Sequence, residues 1–284
     1  MNDARILIID GNRAATREKQ VAAGGQPSGE GYARVLQGLA ALRCDIVRPA
    51  DGEVHWSDGT ALADYDGVAM TGSALNVYDG GAHIERQIEL ARAVLESGVP
   101  FFGSCWGMQV AVTAAGGRVR RNPRGREFGF GRRIELNSAG REHPMFSGKP
   151  AVYEAITVHS DEIEQLPAGA IALATNEMGL QALEMRHGRG TFWGVQYHPE
   201  YSFAEIAATA LRYDQVLLDE GLFATAAERD LFVAELRALT QDPRDRHLCW
   251  KHGLGPAMRE ETLKLAELRN WLEHQVMPRL RLRH

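Results

Sequence analysis

The sequence predicts an open α/β fold, a mostly parallel sheet with helices on both faces, followed by an α-helical C-terminal extension. Three observations carry that expectation. Through the first 117 residues, short apolar runs ending in Gly or Asp alternate with segments of helical period, the pattern of buried strands and their crossovers. Beyond Gly117 the pattern turns to β-like alternation, which adds an antiparallel portion. Beyond Tyr201 strong helix formers at helical spacing take over, so the expected division is a domain over 1–203 and a helical extension over 204–284.

The elements follow in order. Arg5 to Gly11, RILIIDG, is a continuous apolar run closed by Asp-Gly, as a buried parallel strand requires. Asp10 and Asn12 lie at its carboxyl end, where turn chemistry accounts for them and ligand contact is the alternative. Ala22 to Gly31 is Gly-rich but lacks G-x-x-x-x-G-K-[ST] and does not directly follow a strand, so it reads as a mobile loop over the site rather than a phosphate loop. YARVLQGLAAL is helical, Cys44 to Pro49 is the second strand with Cys44 a packing residue, and Asp66 to Gly72 is the third strand. His83 to Gly98 is a helix stopped by Gly98 and Pro100. In GRVRRNPRGREFGFGRRIEL, arginines at 118, 120, 121, 124, 126, 132 and 133 mix with strand-like alternation, reading as a solvated antiparallel hairpin, with a docking patch for an anionic substrate or partner as the alternative. ALATN, LQALEM and TFWGVQ complete the antiparallel portion. In the tail, Cys249, Trp250 and His252 read as packing at a helix junction rather than a ligand cluster.

Composition bounds the function. The chain has 284 residues, 44% hydrophobic and 24% charged, as an ordinary globular protein does. A formal net charge of -5 argues against general nucleic-acid binding and predicts no membrane attraction. The three cysteines, at 44, 105 and 249, are odd in number and lack a CxxC pair, which indicates neither a disulfide framework nor a zinc site. MNDARILIIDG runs directly into a strand without the basic start and long apolar core of a signal peptide, so a cytoplasmic location is expected. Nothing in the sequence calls for a cofactor.

The chain is organised around FFGSCWGMQ, Phe101 to Gln109. It reads as a strand, a Gly-bracketed turn carrying Cys105, and the first turn of a helix, the geometry of a nucleophile elbow. Helix-start N–H groups favour a thiolate there. A lone Cys among small residues is otherwise a packing residue. GVQYHPE, Gly194 to Glu200, tips the balance: Pro199 ends an apolar strand and leaves His198 and Glu200 at its end. A thiol, an imidazole to take its proton and a carboxylate to orient the imidazole are the parts of an activated nucleophile. Gln109 lies four residues after Cys105, one turn along the same helix face.

G-S-C-W-G-M-Q and Q-Y-H-P-E resemble the two signatures of the class I, triad-type glutamine amidotransferases, and the resemblance runs over roughly residues 4 to 203, with REFGFG in support. It implies a flavodoxin-like sheet and a glutaminase reaction on L-glutamine or another γ-glutamyl compound through a cysteinyl thioester. Cys105 would be the nucleophile, His198 the base and Glu200 its orienting acid. The backbones of Gly72 and Trp106 would form the oxyanion hole, and Gln109, Ser73 and His159 would lie around the substrate, the 152–164 segment lining its pocket. The family often carries two glycines and a proline where this chain has Gly72-Ser73-Ala74. Three activities stay open: ammonia supply to a separate synthase subunit, partner-free cleavage of γ-glutamyl amides or peptides, and a non-catalytic regulatory or binding role.

Overall fold

Strand residues of opposite parity face opposite sides of a sheet, and the first strand divides two cores accordingly. The computed structural model describes residues 3–54 and 60–283. It contains β1 (Ala4–Ile9), α1 (Ala14–Ala22), α2 (Ser28–Leu39), β2 (Leu42–Val47), β3 (Gly67–Met70), α3 (Ala82–Ser97), β4 (Phe101–Ser104), α4 (Trp106–Ala114), β5 (Arg118–Arg121), β6 (Glu127–Leu136), α5 (Ser138–Glu142), β7 (Val152–His159), β8 (Asp161–Gln165), β9 (Ala170–Asn176), β10 (Gly179–His187) and β11 (Gly190–Val195). The remaining helices are α6 (Phe203–Asp219), α7 (Ala226–Gln241), α8 (Arg246–Lys251), α9 (Pro256–Arg259), α10 (Glu261–Lys264), α11 (Ala266–Trp271) and α12 (Met277–Arg283).

The main sheet runs β2-β1-β3-β4-β11-β10-β9-β6-β7. From β2 to β11 neighbours are parallel, and from β11 onward they are antiparallel. Ile6 and Ile8 enter one core with Tyr32 and Leu36 of α2 and Leu268 and Trp271 of α11. Leu7 and Ile9 enter the other with Leu90 and Val94 of α3 and Val110 of α4. A third core holds α6 and α7 against Phe130, Ile156 and Val158 of the antiparallel half. Three neighbouring parallel strands, β3, β4 and β11, end side by side. Their carboxyl ends, where open α/β sheets build their sites, carry Gly72, Cys105 and His198.

Two local expectations change. The arginine-rich stretch is not a hairpin: β5 pairs antiparallel with β8 in a separate two-stranded sheet, while β6 pairs with β7 and β9. Five of its seven arginines are matched at close range, with Arg120 and Arg124 on Glu162, Arg118 on Glu164, and Arg121 and Arg126 on Glu220. The Gly-rich segment from Ala22 to Gly31 is the end of α1, a turn and the start of α2 rather than a long loop. The Gly29 N–H donates to Asp10 Oδ2 at 3.1 Å, tying the start of α2 to the end of β1.

Residues beyond 203 share the cores of the sheet. A Cβ on Gly67 of β3 would stand 2.8 Å from Val276 Cγ2 and 2.9 Å from the Trp271 ring, so that glycine exists to let the tail helix approach the strand. Cys249 is buried, and His252 pairs with Glu235 at 2.8 Å against the rings of Phe130 and Phe232. Trp250, in contrast, is 85% exposed. Among the described residues no helix is long and apolar enough to cross a membrane.

Candidate active site

Cys105 sits between the last residue of β4 and the first of α4 at φ 51°, ψ −102°, a conformation a non-glycine residue adopts only when its surroundings hold it. Its N–H donates to Val195 O at 2.7 Å and its carbonyl accepts from Gln109 N at 3.1 Å, fixing the bend from both sides. The flanking glycines work by close approach: a Cβ on Gly103 would lie 2.6 Å from Gly107 C, and one on Gly107 would lie 2.5 Å from Met70 O. The sulfur is nearly buried, 4% exposed for the residue, but it opens on a cavity of about 170 Å³ shared with Ser73, Gln109, His159, Asp161 and Arg126.

His198 hangs from the end of β11, its N–H donating to Ile156 O at 2.8 Å. Nδ1 meets Glu200 Oε1 at 2.7 Å, and the ring stacks on Tyr201 with centroids 4.1 Å apart. Burial pulls the imidazole's pKa down, but the Glu200 carboxylate, with the hydrogen bond and charge of Cys105, outweighs it and pushes the ring up to about 10. His198 thus faces the cysteine on one side and the carboxylate on the other, and the carboxylate favours its protonated form. Glu200 is secured in turn: Ser104 Oγ donates to its Oε2 at 3.0 Å, and Tyr32 OH lies 3.1 Å from Ser104 Oγ.

Gly72 faces the same ring, since a Cβ there would stand 2.4 Å from His198 Cε1. Its carbonyl accepts from Asn12 Nδ2 at 3.2 Å and from Thr71 Oγ1 at 2.9 Å, while Asn12 Oδ1 accepts from Ala74 N at 3.1 Å. Asn12 thus clamps the 72–74 loop to the end of β1. Asp10 accepts from the N–H groups of Asn12 and Gly29, as turn chemistry anticipates. The Trp106 N–H, first in α4, has no acceptor within its helix, and its indole turns away to donate to Gln87 Oε1 at 2.7 Å. Ser73 donates to Gly11 O at 2.9 Å. Gln109 reaches Gln196 Oε1 at 3.4 Å.

His159 also lines the cavity, but both ring nitrogens are engaged: Nε2 with Glu127 at 2.8 Å and Nδ1 with the carbonyl of Asp161 at 2.9 Å. It can meet a ligand through backbone or ring carbons, not through a free nitrogen. Helix α6 adds residues that sequence reasoning did not place here, Arg212, Tyr213 and Val216. Tyr201, Ser104 and Tyr32 were likewise missed. Two of these had a local signal, because Ser104 directly precedes Cys105 and Tyr201 directly follows Glu200. Among the described residues no three of His, Cys, Asp and Glu are grouped as metal ligands would be.

The glutamine amidotransferase class-I family model matches residues 33–214. The chain is 35% identical over 282 residues to a γ-glutamyl-L-1-hydroxyisopropylamide hydrolase of a Pseudomonas species, covering 98% of this chain and 95% of that protein. It is 32% identical over 173 residues to a glutamine-hydrolyzing GMP synthase of Thermomicrobium roseum, covering 61% of this chain but only 30% of the synthase. In three dimensions it resembles a crystal structure of a glutamine amidotransferase from Thermotoga maritima with a TM-score of 0.63 at 21% identity, covering 97% of this chain and 99% of that one.

Proposed function

Because the chain belongs to the class-I glutamine amidotransferase family and is a hydrolytic enzyme, we propose that it cleaves γ-glutamyl amides to glutamate and an amine without a synthase partner. One observation carries this choice: the histidine side of the site is walled by the chain's own α6, through Arg212 and Tyr213. The likeness to a γ-glutamyl amide hydrolase along nearly the whole of both chains supports it.

In the reaction, Cys105 Sγ attacks the γ-carbonyl carbon, its proton having passed to His198. The carbonyl oxygen takes up negative charge beside the N–H groups of Gly72 and Trp106, donors worth about 3 to 4 kcal/mol each when fixed in advance. His198 hands its proton to the amide nitrogen, the C–N bond breaks, and the amine leaves a γ-glutamyl thioester on Cys105. Water then gives a proton to His198 and attacks the thioester, releasing glutamate and returning the proton to the sulfur. Glu200 keeps the ring oriented and compensates its charge. Gln109, Ser73 and the backbone around His159 hold the glutamyl group.

The test is amine release from γ-glutamyl alkylamides by the purified chain alone. Turnover is expected, and Cys105→Ala is expected to lower kcat about 10⁴-fold or more. Activity retained by Cys105→Ala would refute the assignment. The likeness to GMP synthases favours a second reading, ammonia supply from glutamine to a synthase. That reading wins if cleavage of glutamine occurs only when a synthase is added and alkylamides are never cleaved.

A further inference from the structure

Two cavities meet at the site and divide it by chemistry. One holds Cys105 and Gln109; the other, about 20 Å³, holds His198, Gln20, Arg17 and Arg212; Ser73, Val158 and Tyr213 border both. An amide placed for attack puts its acyl group on the sulfur side and its nitrogen against the imidazole that protonates it. The second cavity is thus where the nitrogen's substituent begins. Among the described residues no carboxylate lines it.

The two guanidinium groups there differ. Arg17 is already matched, donating to Asp51 at 2.7 Å and to Asn12 O at 2.5 Å. Arg212 has no ion-pair partner among the described residues. Its Nε donates to Gln20 Oε1 at 2.8 Å, and its guanidinium carbon lies 4.4 Å over the Tyr213 ring. Gln20, only 6% exposed, is itself held by its amide, which donates to Glu205 Oε2 at 3.1 Å and Thr209 Oγ1 at 3.2 Å. Arg212 is therefore braced at Nε and stacked on one face, while its two terminal nitrogens have no protein acceptor among the described residues. Such a fork matches a carboxylate.

From this we infer that the leaving amine carries a carboxylate held by Arg212, so that the preferred substrates are γ-glutamyl amides of slender amino acids. The inference rests on the hydrolase reading. Space beside His198 for about one water-sized group admits the amide nitrogen, and a slender substituent leads from it toward Arg212. After C–N cleavage, an amine that takes a further proton from water within the cavity finds no carboxylate there to pair with, which favours its release.

The experiment compares kcat/KM for γ-glutamylglycine with that for γ-glutamylisobutylamide, whose substituent has nearly the same shape and no charge. The wild-type chain is expected to favour the glycine compound by about tenfold or more, as one charge-assisted contact allows. Arg212→Met is expected to lower that ratio about tenfold and Arg212→Lys to restore part of it; using a ratio separates recognition from any loss of folded enzyme. A wild-type ratio near one, or a ratio unmoved in Arg212→Met, overturns the inference while leaving the hydrolase reading intact. If the wild-type chain cleaves neither compound, both fall together.

Discussion

Cys105 and Cys249 are almost equally buried, at 4% and 5% exposure, yet their surroundings are opposite. Cys249 lies among tail helices, its Sγ donating to Pro243 O at 3.4 Å. Burial pushes its thiol up, and Asp245 and Asp242 push the same way against the pull of Arg259. Half-buried Cys44 is pushed up to about 11 by burial and by Asp45. Cys105 instead sits at the start of a helix, opens on the cavity and has the His198–Glu200 pair beside it. Burial does not separate the proposed nucleophile from a packing residue here; the groups placed around the sulfur do.

The strongest way to break that contrast is to remove the acid behind the ring. Glu200→Gln keeps a hydrogen-bonding group of the same shape but deletes the chief influence raising His198, so the ring's pKa is expected to fall well below about 10. Loss of the third member of such a triad costs about 10⁴-fold in kcat, or about 5 kcal/mol. Stability changes with a defined sign. The ring's folded value lies above its unfolded value of about 6.5, so the stabilisation from its protonated form is fully present below about pH 6.5 and is lost as pH rises through about 10. The stability gap between wild type and Glu200→Gln, measured by urea unfolding, is expected to be widest near pH 6 and to shrink toward pH 10. A gap that widens toward alkaline pH would contradict a raised pKa for the ring.

The tail can be probed in the reverse sense, with a change that costs folding rather than chemistry. Trp271 is fully buried, 5.9 Å from the Phe102 ring and packed over Gly67. Trp271→Ala is expected to destabilise the chain by about 3–5 kcal/mol, as core aromatic deletions do. Thermal unfolding measures this. A loss under 1 kcal/mol would mean that the tail packs on the sheet without contributing to its core.

The contrast also separates what could be read in advance. Phe101 to Gln109 and Gly194 to Glu200 encode their geometry locally, because the bend needs Gly103 and Gly107 and the strand end needs Pro199, so the elbow and the histidine loop were legible. Residues brought in by distant packing were not. Arg212 and Tyr213 sit on α6 at ordinary helical spacing, and nothing near them in sequence says that the helix crosses the mouth of the site. Tyr32 reads as one more apolar position of α2. The β5–β8 pairing was hidden for the same reason: alternation reveals a strand but not its partner, and the nearest candidate, β6, was taken up by β7.

The finest test reaches the far end of the support behind Glu200. Ser104 Oγ spends its proton on Glu200, so Tyr32 OH must donate to Ser104. Burial, then the charge of Glu200, holds the Tyr32 phenol well above its usual pKa, so it remains a donor throughout the working range. Tyr32→Phe removes that single donor while preserving the ring, for an expected loss of about 0.5–1.5 kcal/mol of stability and a fall in kcat of roughly two- to tenfold, since about 1.4 kcal/mol corresponds to a factor of ten. KM for the amide should stay constant, because Tyr32 acts on the carboxylate through Ser104 and not on the substrate. A KM effect without a kcat effect would place Tyr32 in recognition instead, and no effect on either rate or stability would mean that the restraint on Glu200 ends at Ser104.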